Sequence, residues 1–285
     1  MLSYQHGYHA GNHADIIKHL CWVAVINRLK QKNKPFNLFD THAGAGCYRL
    51  DSEQALKTGE FQSGIARLDN ITAQDPLLQD YLRILSSYSS DNQYPGSPLI
   101  ASHLLREQDA LHVMELHPGE FDALKQSTRQ YRAQGQVHCH FRDGLAGLVA
   151  LSPPQPNRGA VLIDPPYESR SEYQQVINTV KQCLKRWPQA QLLVWYPLLS
   201  ARAGDKEGAG EAMCHTFGEL NNNVLQIELR VTKNTPDAGM FGSGVCFINP
   251  AWQVETLICP ALEEVLEYLG EDSEYSVNWL NNIDS

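Results

Sequence analysis

Residues 159–167 read Gly-Ala-Val-Leu-Ile-Asp-Pro-Pro-Tyr, and this stretch decides the fold. Its first five residues are small or apolar, which is typical of a buried strand. The strand has to end at the two prolines, because proline donates no ladder hydrogen bond and restricts the residue before it. Asp164 is therefore predicted at the carboxyl end of a central strand, where open α/β sheets bind their ligands.

Asp-Pro-Pro-Tyr after an apolar strand resembles the catalytic motif of amino-group methyltransferases that use S-adenosylmethionine. The exocyclic amine of adenine is a poor nucleophile because its lone pair is delocalised into the ring. The Asp164 carboxylate and the Pro165 carbonyl are acceptors that can take its two N–H groups and return electron density to nitrogen. Tyr167 is predicted to stack on an extruded base. The plainer alternative is a strand end with a proline turn and a surface tyrosine.

The composition is that of a globular protein: 285 residues, 42% hydrophobic and 19% charged. One large domain, or one with an insertion, is expected. No stretch is apolar for the length of a membrane span, and the first residues lack a signal-peptide pattern. Seven scattered cysteines without Cys-x-x-Cys favour free thiols over a disulfide framework or a zinc finger. We therefore expect a cytoplasmic protein without membrane contact.

The net charge of −9 looks unfavourable for a nucleic-acid partner, but the charge is unevenly distributed. No lysine or arginine follows Lys233, whereas nine acids do. Residues 1–233 consequently carry as many acids as bases. This balance is compatible with an RNA-facing surface, and we expect the acidic end to point away from phosphates.

Polar residues also follow the other predicted strands. The strand Phe36–Asp40 runs into Thr41–Gly46, where small residues such as Gly44 let the backbone approach a cofactor. Alone this is a weak signal that a tight turn would explain almost as well. The second strand ends in Glu115, which is suited to ribose hydroxyls, and the third is followed by Asp143, which is suited to an adenine amino group. Together these strand ends predict a nucleoside-cofactor site.

Strands and helices alternate along the rest of the chain, which predicts an α/β fold with a mostly parallel, doubly wound sheet and an antiparallel edge strand. The strand Gln191–Tyr196 is expected to end at Pro197. The segments Val224–Thr232 and Gly244–Ile248 are expected to form a terminal hairpin. An acidic helix, Pro260–Leu269, is expected to pack outside the sheet.

The N-terminal part predicts an amphipathic helix capped near Asn12. Between the first two strands, residues 48–94 show helical apolar spacing and predict an inserted helical subdomain beside the cleft. Residues 1–47 and 95–285 would then form the main domain. Ser97 is predicted to cap the helix that follows the insertion.

His6, His9 and His13 have a spacing that could suggest a metal site. Because no set of cysteines or carboxylates surrounds them in the sequence, we favour a loop that closes over a ligand and predict no metal.

Several characteristic stretches keep their order along nearly the full length: LSYQHGYHAGNHADIIKH, FDTHAGAG, YPGSPLI, ELHP, RDG, LIDPPYE, LLVWYP, LQIEL and GSGVCFINPAW. In these stretches the chain resembles the bacterial large-subunit ribosomal RNA adenine-N6 methyltransferase J family. The resemblance implies a class I, Rossmann-like methyltransferase fold with a small helical insertion. It also implies S-adenosylmethionine as cofactor and 23S rRNA as partner, with adenine 2030 as the target, read on protein-free RNA. We further expect a monomer.

Carried over residue by residue, the resemblance assigns roles to positions of this sequence. Asp164, Pro165 and Tyr167 are expected to be catalytic, and Tyr4 and His6 are expected to join Tyr167 on the substrate side. The predicted cofactor contacts are Lys18 or His19, His42, Gly44, Ser97, Glu115, Asp143, Gly144 and Asp164.

Other functions remain open at this point. The same motif would suit a DNA adenine-N6 or cytosine-N4 methyltransferase, because it binds an amine and not the sugar. Methylation of a protein glutamine uses a related motif that begins with Asn, and Asp164 argues against it. A non-catalytic RNA-binding module and a metal-dependent hydrolase built on the N-terminal histidines are the alternatives from other classes.

Overall fold

A computed structural model describes residues 5–283, in which strands and helices alternate. The strands are β1 (Asn37–Asp40), β2 (Cys47–Arg49), β3 (Gln93–Pro95), β4 (Ala110–Glu115), β5 (Gln136–Phe141), β6 (Gly159–Ile163), β7 (Gln191–Leu199), β8 (Val224–Arg230), β9 (Met240–Ile248) and β10 (Glu274–Asn281). The helices are α1 (His13–Lys30), α2 (Glu53–Thr58), α3 (Pro76–Ser89), α4 (Ser97–Leu104), α5 (Pro118–Gln130), α6 (Gly144–Leu151), α7 (Arg170–Arg186), α8 (Ala209–Gly218) and α9 (Glu255–Leu269).

Eight of these strands form one sheet in the order β10-β8-β9-β7-β6-β1-β4-β5. The strands from β7 to β5 run parallel, and β9, β8 and β10 are antiparallel to their neighbours. The predicted fold class is thereby confirmed. β1 pairs with β4 on one side and with β6 on the other, so the order in which strands are added to the sheet reverses at β1. A crevice opens at the carboxyl ends of the strands at such a switch point.

The outer antiparallel strand, β10, was not predicted. It pairs with β8 from Glu274 opposite Arg230 to Asn281 opposite Val224. As a half-exposed edge strand that contains Glu, Ser and Asn, it lacks the clear apolar alternation that marks an interior strand.

Several predicted boundaries were wrong, since β9 begins at Met240 and not at Gly244, and α9 begins at Glu255 and not at Pro260. β7 continues through Pro197 to Leu199. Its pairing with β6 ends at Val194, so beyond that residue β7 is hydrogen-bonded to β9 alone, and a proline, which has no N–H to donate, is tolerated on the unpaired side. At the start of α4, Gly96 is the N-cap and Ser97 is the first helical residue. The Ser97 hydroxyl instead donates a hydrogen bond to a carboxylate of the candidate site described below.

Helix α1 begins where it was predicted, since the Asn12 side chain accepts hydrogen bonds from the backbone N–H groups of Ala14 and Asp15. The predicted amphipathic character was wrong. Most residues of α1 are buried because the helix lies between the sheet and the helices α3, α4 and α9. Lys18 and the neighbouring polar residues of its first turns are therefore taken into the interior.

Residues 48–94 contain α2, α3 and two short 3-10 helices, and the small β2–β3 sheet joins the two ends of the segment. Helix α3 starts with Asp75 as its cap and packs Leu78 and Tyr81 into the core that also contains α1. The division into an inserted subdomain and a main domain stays a prediction. Within residues 5–283, no helix has both the length and the apolar character needed to cross a lipid bilayer.

Candidate active site

The carboxyl ends of β1, β4 and β6, together with the start of α6, open onto a cavity of about 540 Å³. This volume is in the range of small-molecule binding sites. Most of the predicted site residues line it: His6, Lys18, His42, Gly44, Ser97, Glu115, Asp143, Gly144, Asp164, Pro165 and Tyr167. The structure thus brings together residues that are far apart in the sequence, while their individual roles stay predictions.

Asp164 follows β6 directly and lies in the wall of this cavity, with 14% of its side chain exposed. Its Oδ2 accepts a hydrogen bond of 2.7 Å from Lys18 Nζ. Burial raises the pKa of Asp164 above its ordinary value, and the charge of Lys18 opposes that rise. Paired with Lys18, Asp164 accepts a charge-assisted hydrogen bond in a largely buried site, where such interactions are stronger than in water.

Lys18 lies between two carboxylates, since its Nζ is 2.7 Å from Asp15 Oδ1 and 2.7 Å from Asp164 Oδ2. Burial disfavours the ammonium, but the two carboxylates outweigh it and raise the pKa of Lys18 above its ordinary value. Burial also disfavours ionised Asp15, yet Lys18 and nearby histidines hold the pKa of Asp15 well below its usual range. We call these three residues the Asp15–Lys18–Asp164 triad; with all three ionised, its net charge is minus one.

The turn after β6 is held in an uncommon conformation, because Tyr167 has a φ of +48°. Its ring stacks on Tyr173 with centroids 4.2 Å apart, and its hydroxyl donates a hydrogen bond of 2.8 Å to the Trp195 carbonyl. Only 1% of Tyr167 is exposed. Stacking of a base on this ring, as predicted from the motif, therefore requires a rearrangement that this structure does not show.

Several residues of the cavity wall were missed in the sequence, among them Asp15, Trp195 and Lys206. Trp195, on β7, faces Lys18, whose Nζ is 6.0 Å from the indole centroid. Lys206 donates hydrogen bonds to the carbonyls of Tyr167, at 3.0 Å, and Glu168, at 3.4 Å. Trp195 lies inside the LLVWYP stretch and could have been singled out, whereas Lys206 lies within a loop rich in glycine and alanine that gave no signal.

On the side of the cavity predicted to bind the cofactor, Glu115 organises the loop after β1. Its Oε2 accepts a hydrogen bond of 2.9 Å from Gly44 N, and its Oε1 accepts bonds of 2.7 Å from both Leu116 N and His117 N. A carboxylate has about four acceptor positions, so one position is left for a ligand hydroxyl. Binding of both ribose hydroxyls, as predicted, would require one of these backbone bonds to open.

Two glycines of this site cannot be replaced without a clash. Gly44 has a φ of +57°, and a Cβ there would lie 2.1 Å from the Tyr48 hydroxyl. At Gly144 a Cβ would lie 1.7 Å from the Thr41 carbonyl oxygen. Asp143, directly before Gly144, caps helix α6 with its side chain. Backbone from β1 and α6 therefore approaches closely at the cavity, as a nucleoside site requires.

Asp40, at the end of β1, is a buried acid beside the same cavity. It accepts hydrogen bonds from the Ser97 hydroxyl at 2.6 Å and from His42 N at 3.3 Å. Burial raises the pKa of Asp40 to about 6. Burial also lowers the pKa of His42 to about 4, so that this imidazole is neutral at pH 7. Ser97 and His42 thus hold Asp40, which in turn holds the loop after β1.

Replacing Asp40 with asparagine is expected to stabilise the protein at neutral pH. The pKa of Asp40 in the folded protein, about 6, lies above the ordinary value of 3.8. Ionisation therefore penalises the folded state increasingly between pH 4 and 6, by up to about 3 kcal/mol at about 1.4 kcal/mol per pKa unit. Asparagine can keep both hydrogen bonds by donating to Ser97 and accepting from His42 N.

Urea unfolding from pH 4 to 8 measures this difference. The variant should match the wild type near pH 4 and exceed it above pH 6, because the penalty is complete above the pKa of the folded state. A difference that is independent of pH would contradict the assignment of the titration to Asp40.

Two of the three N-terminal histidines, His6 and His9, bind to carboxylates of the protein itself. His6 Nε2 lies 3.1 Å from Asp15 Oδ2, and His9 Nδ1 lies 2.8 Å from Glu60 Oε1. In the described part of the chain, no three His, Cys, Asp or Glu side chains are grouped so as to hold a metal ion.

Two further predicted residues do not take part in the described cavity. His19, on α1, is fully buried, and its Nδ1 is 2.8 Å from the Tyr94 hydroxyl. Of the two alternatives Lys18 and His19, only Lys18 lies at the cavity. Tyr4 lies outside the described residues.

A family model described as "Ribosomal RNA large subunit methyltransferase D, RlmJ" matches residues 33–281. The chain belongs to this family. It is 40% identical to ribosomal RNA large subunit methyltransferase J of Escherichia coli (strain K12) over 262 residues, which are 90% of this chain and 89% of that protein. It is 34% identical to the protein of the same name from Haemophilus influenzae over 290 residues, with 98% and 99% covered.

Among solved structures, a Legionella pneumophila protein superposes on this chain with a TM-score of 0.83 and 30% identity, covering 95% of this chain and 98% of that one. Membership of the RlmJ family confirms the resemblance found in the sequence and the class of the enzyme, a methyltransferase. S-adenosylmethionine, the predicted cofactor, agrees with that class. The residues present fit it, because an acid-rich cavity with close backbone approach suits a nucleoside that carries a positive sulfonium.

Proposed function

We propose that this protein transfers a methyl group from S-adenosylmethionine to N6 of an adenine in 23S rRNA, and that it acts on protein-free RNA. The target we propose is adenine 2030, from the family resemblance. The observation that carries the proposal is the position of Asp164. This residue directly follows β6 and lines the same cavity as Glu115 and Asp143. The names of the relatives, which are ribosomal RNA methyltransferases, support RNA as the substrate.

The chemistry divides between the two sides of the cavity. When bound, S-adenosylmethionine supplies an electrophilic methyl group on a positively charged sulfur. Glu115 and Asp143 lie where they can hold the adenosine part. Asp164 Oδ1 and the Pro165 carbonyl oxygen would accept the two N–H groups of the target amine and turn its lone pair toward the methyl group.

The Asp15–Lys18–Asp164 triad gives this site its charge. The target nitrogen would become positive as its bond to the methyl carbon forms and the carbon–sulfur bond breaks, and the proton that it then loses would pass to its acceptor, Asp164 Oδ1. The net negative charge of the triad would stabilise that developing positive charge in a largely buried site. Lys18, bonded to Asp164 Oδ2, keeps the carboxylate in one orientation and so directs Oδ1 to the amine.

Methyl transfer from labelled S-adenosylmethionine tests the proposal directly. The substrates are protein-free 23S rRNA, assembled large subunits and DNA of the same sequence, each followed by mapping of the labelled base. We expect N6-methyladenine at one position of the free RNA, and much less label on the subunits and the DNA. Label in DNA or in cytosine would overturn the proposed substrate, and no transfer to any nucleic acid would favour a non-catalytic binding module.

A further inference from the structure

A second groove, of about 670 Å³, runs between α5 and the edge strand β5. Three cations line it, Lys125, Arg129 and Arg132, and no acidic residue does. The whole chain has a net charge of −9, so a groove walled by cations alone is a local departure from the average surface. We call it the α5–β5 groove.

Two of the three cations of the α5–β5 groove lie on α5, and the third follows the C-terminal end of that helix. Lys125 and Arg129 are four residues apart on α5 and so lie on one side of the helix, with a rise of about 6 Å between them, while Arg132 lines the groove from the segment after the helix. Lys125 has a distant carboxylate partner, Asp122 at 3.7 Å, which is 80% exposed and therefore a weak competitor. Among residues 5–283, neither Arg129 nor Arg132 has a carboxylate within the 4.0 Å of an ion pair.

At Phe121 the groove comes near the candidate active site. There Phe121 contacts Phe141 with ring centroids 5.1 Å apart, and Lys125 Nζ lies 5.4 Å from the Phe121 centroid. Phe141 is 55% exposed and stands two residues before Asp143. Glu120, next to Phe121, already lines the cavity of the candidate site.

We propose that the α5–β5 groove binds the sugar–phosphate backbone of the substrate RNA, and that Phe141 offers a stacking surface to an unpaired base near the target. The proposal rests on the proposed function, because it takes RNA as the substrate. Cations in a row beside an exposed aromatic ring are the features that hold single-stranded nucleic acid without reading its sequence. The groove then orients the RNA so that the target adenine reaches Asp164.

The test compares two triple variants that lose the same charge. Lys125→Gln/Arg129→Gln/Arg132→Gln removes the groove cations, and Lys181→Gln/Lys185→Gln/Lys233→Gln removes three exposed lysines elsewhere. We expect the groove variant to raise KM for 23S rRNA by at least about tenfold and to reduce the slope of log KM against log[KCl] by about 2, at about 0.7 per phosphate contact. Its kcat, and its affinity for S-adenosylmethionine measured by calorimetry, should match the wild type. The control variant should change neither KM nor the slope.

Phe141→Ala separates stacking from charge, since it should raise KM and leave the salt slope unchanged. An unchanged KM and slope in the groove variant, or an equal effect in the control variant, would overturn the proposal. If the wild type methylates no RNA, the proposed function fails. Fluorescence anisotropy of a labelled 23S rRNA fragment then still tests the groove, and equal affinity of the wild type and the groove variant would overturn it.

Discussion

Replacing Asp164 with asparagine is expected to lower kcat for methyl transfer by about 10²–10³-fold, which is the cost of losing one positioned electrostatic partner of a transition state. Asparagine has the same shape but no negative charge, and it turns an amide toward Lys18 or toward the target amine. Lys18 keeps its 2.7 Å contact with Asp15, so the fold should persist. Single-turnover transfer to 23S rRNA at saturating cofactor measures the effect.

Asp122→Asn is the matched control, because it makes the same chemical change at a carboxylate that is 80% exposed and outside the cavity. It should leave kcat unchanged. Near-normal turnover of the Asp164→Asn variant would refute the catalytic role of Asp164. A loss of cofactor affinity as large as the loss of kcat would place Asp164 on the cofactor side instead.

The acids of the site could be predicted because of how parallel sheets are built. A short apolar run followed by an acid or a glycine marks the carboxyl end of a buried strand, and such ends meet at one edge of the sheet. Asp164, Glu115 and Asp143 were predicted in this way, and the structure places all three at one cavity. Each of these predictions needed only local sequence and the handedness of strand connections.

Contacts between distant segments could not be predicted in the same way. Lys18 and Asp164 are 146 positions apart, and no local pattern relates them. The choice between Lys18 and His19 depends on the rotation of α1, and because α1 is buried on nearly all sides its sequence has no polar face that would show the rotation. The edge strand β10 was missed since it buries too little surface to impose an alternating pattern.

Replacing Lys18 with methionine is expected to lower the free energy of unfolding by about 3–5 kcal/mol, because it leaves buried carboxylates without their cation. Methionine has a similar length and keeps the packing of the stem. Asp15 is 1% exposed and would face Asp164 with no positive charge between them. Both carboxylates would then bind protons more readily, so the loss of stability should be larger at pH 8 than at pH 5.

A double-mutant cycle with Asp15→Asn shows whether charge or packing is responsible. If the unpaired charge destabilises the Lys18→Met variant, then adding Asp15→Asn should restore a large part of the lost free energy of unfolding. In the wild-type background, Asp15→Asn should instead destabilise the protein, because it removes a favourable partner of Lys18. Lys32→Met, at an exposed position just beyond α1, is the control and should change stability little. Urea unfolding at both pH values supplies all the free energies.

A loss below about 1 kcal/mol for Lys18→Met, which is usual for a surface ion pair, would mean that water reaches the triad. The carboxylate of Asp164 would then lack the dry, fixed setting on which the proposed catalysis depends.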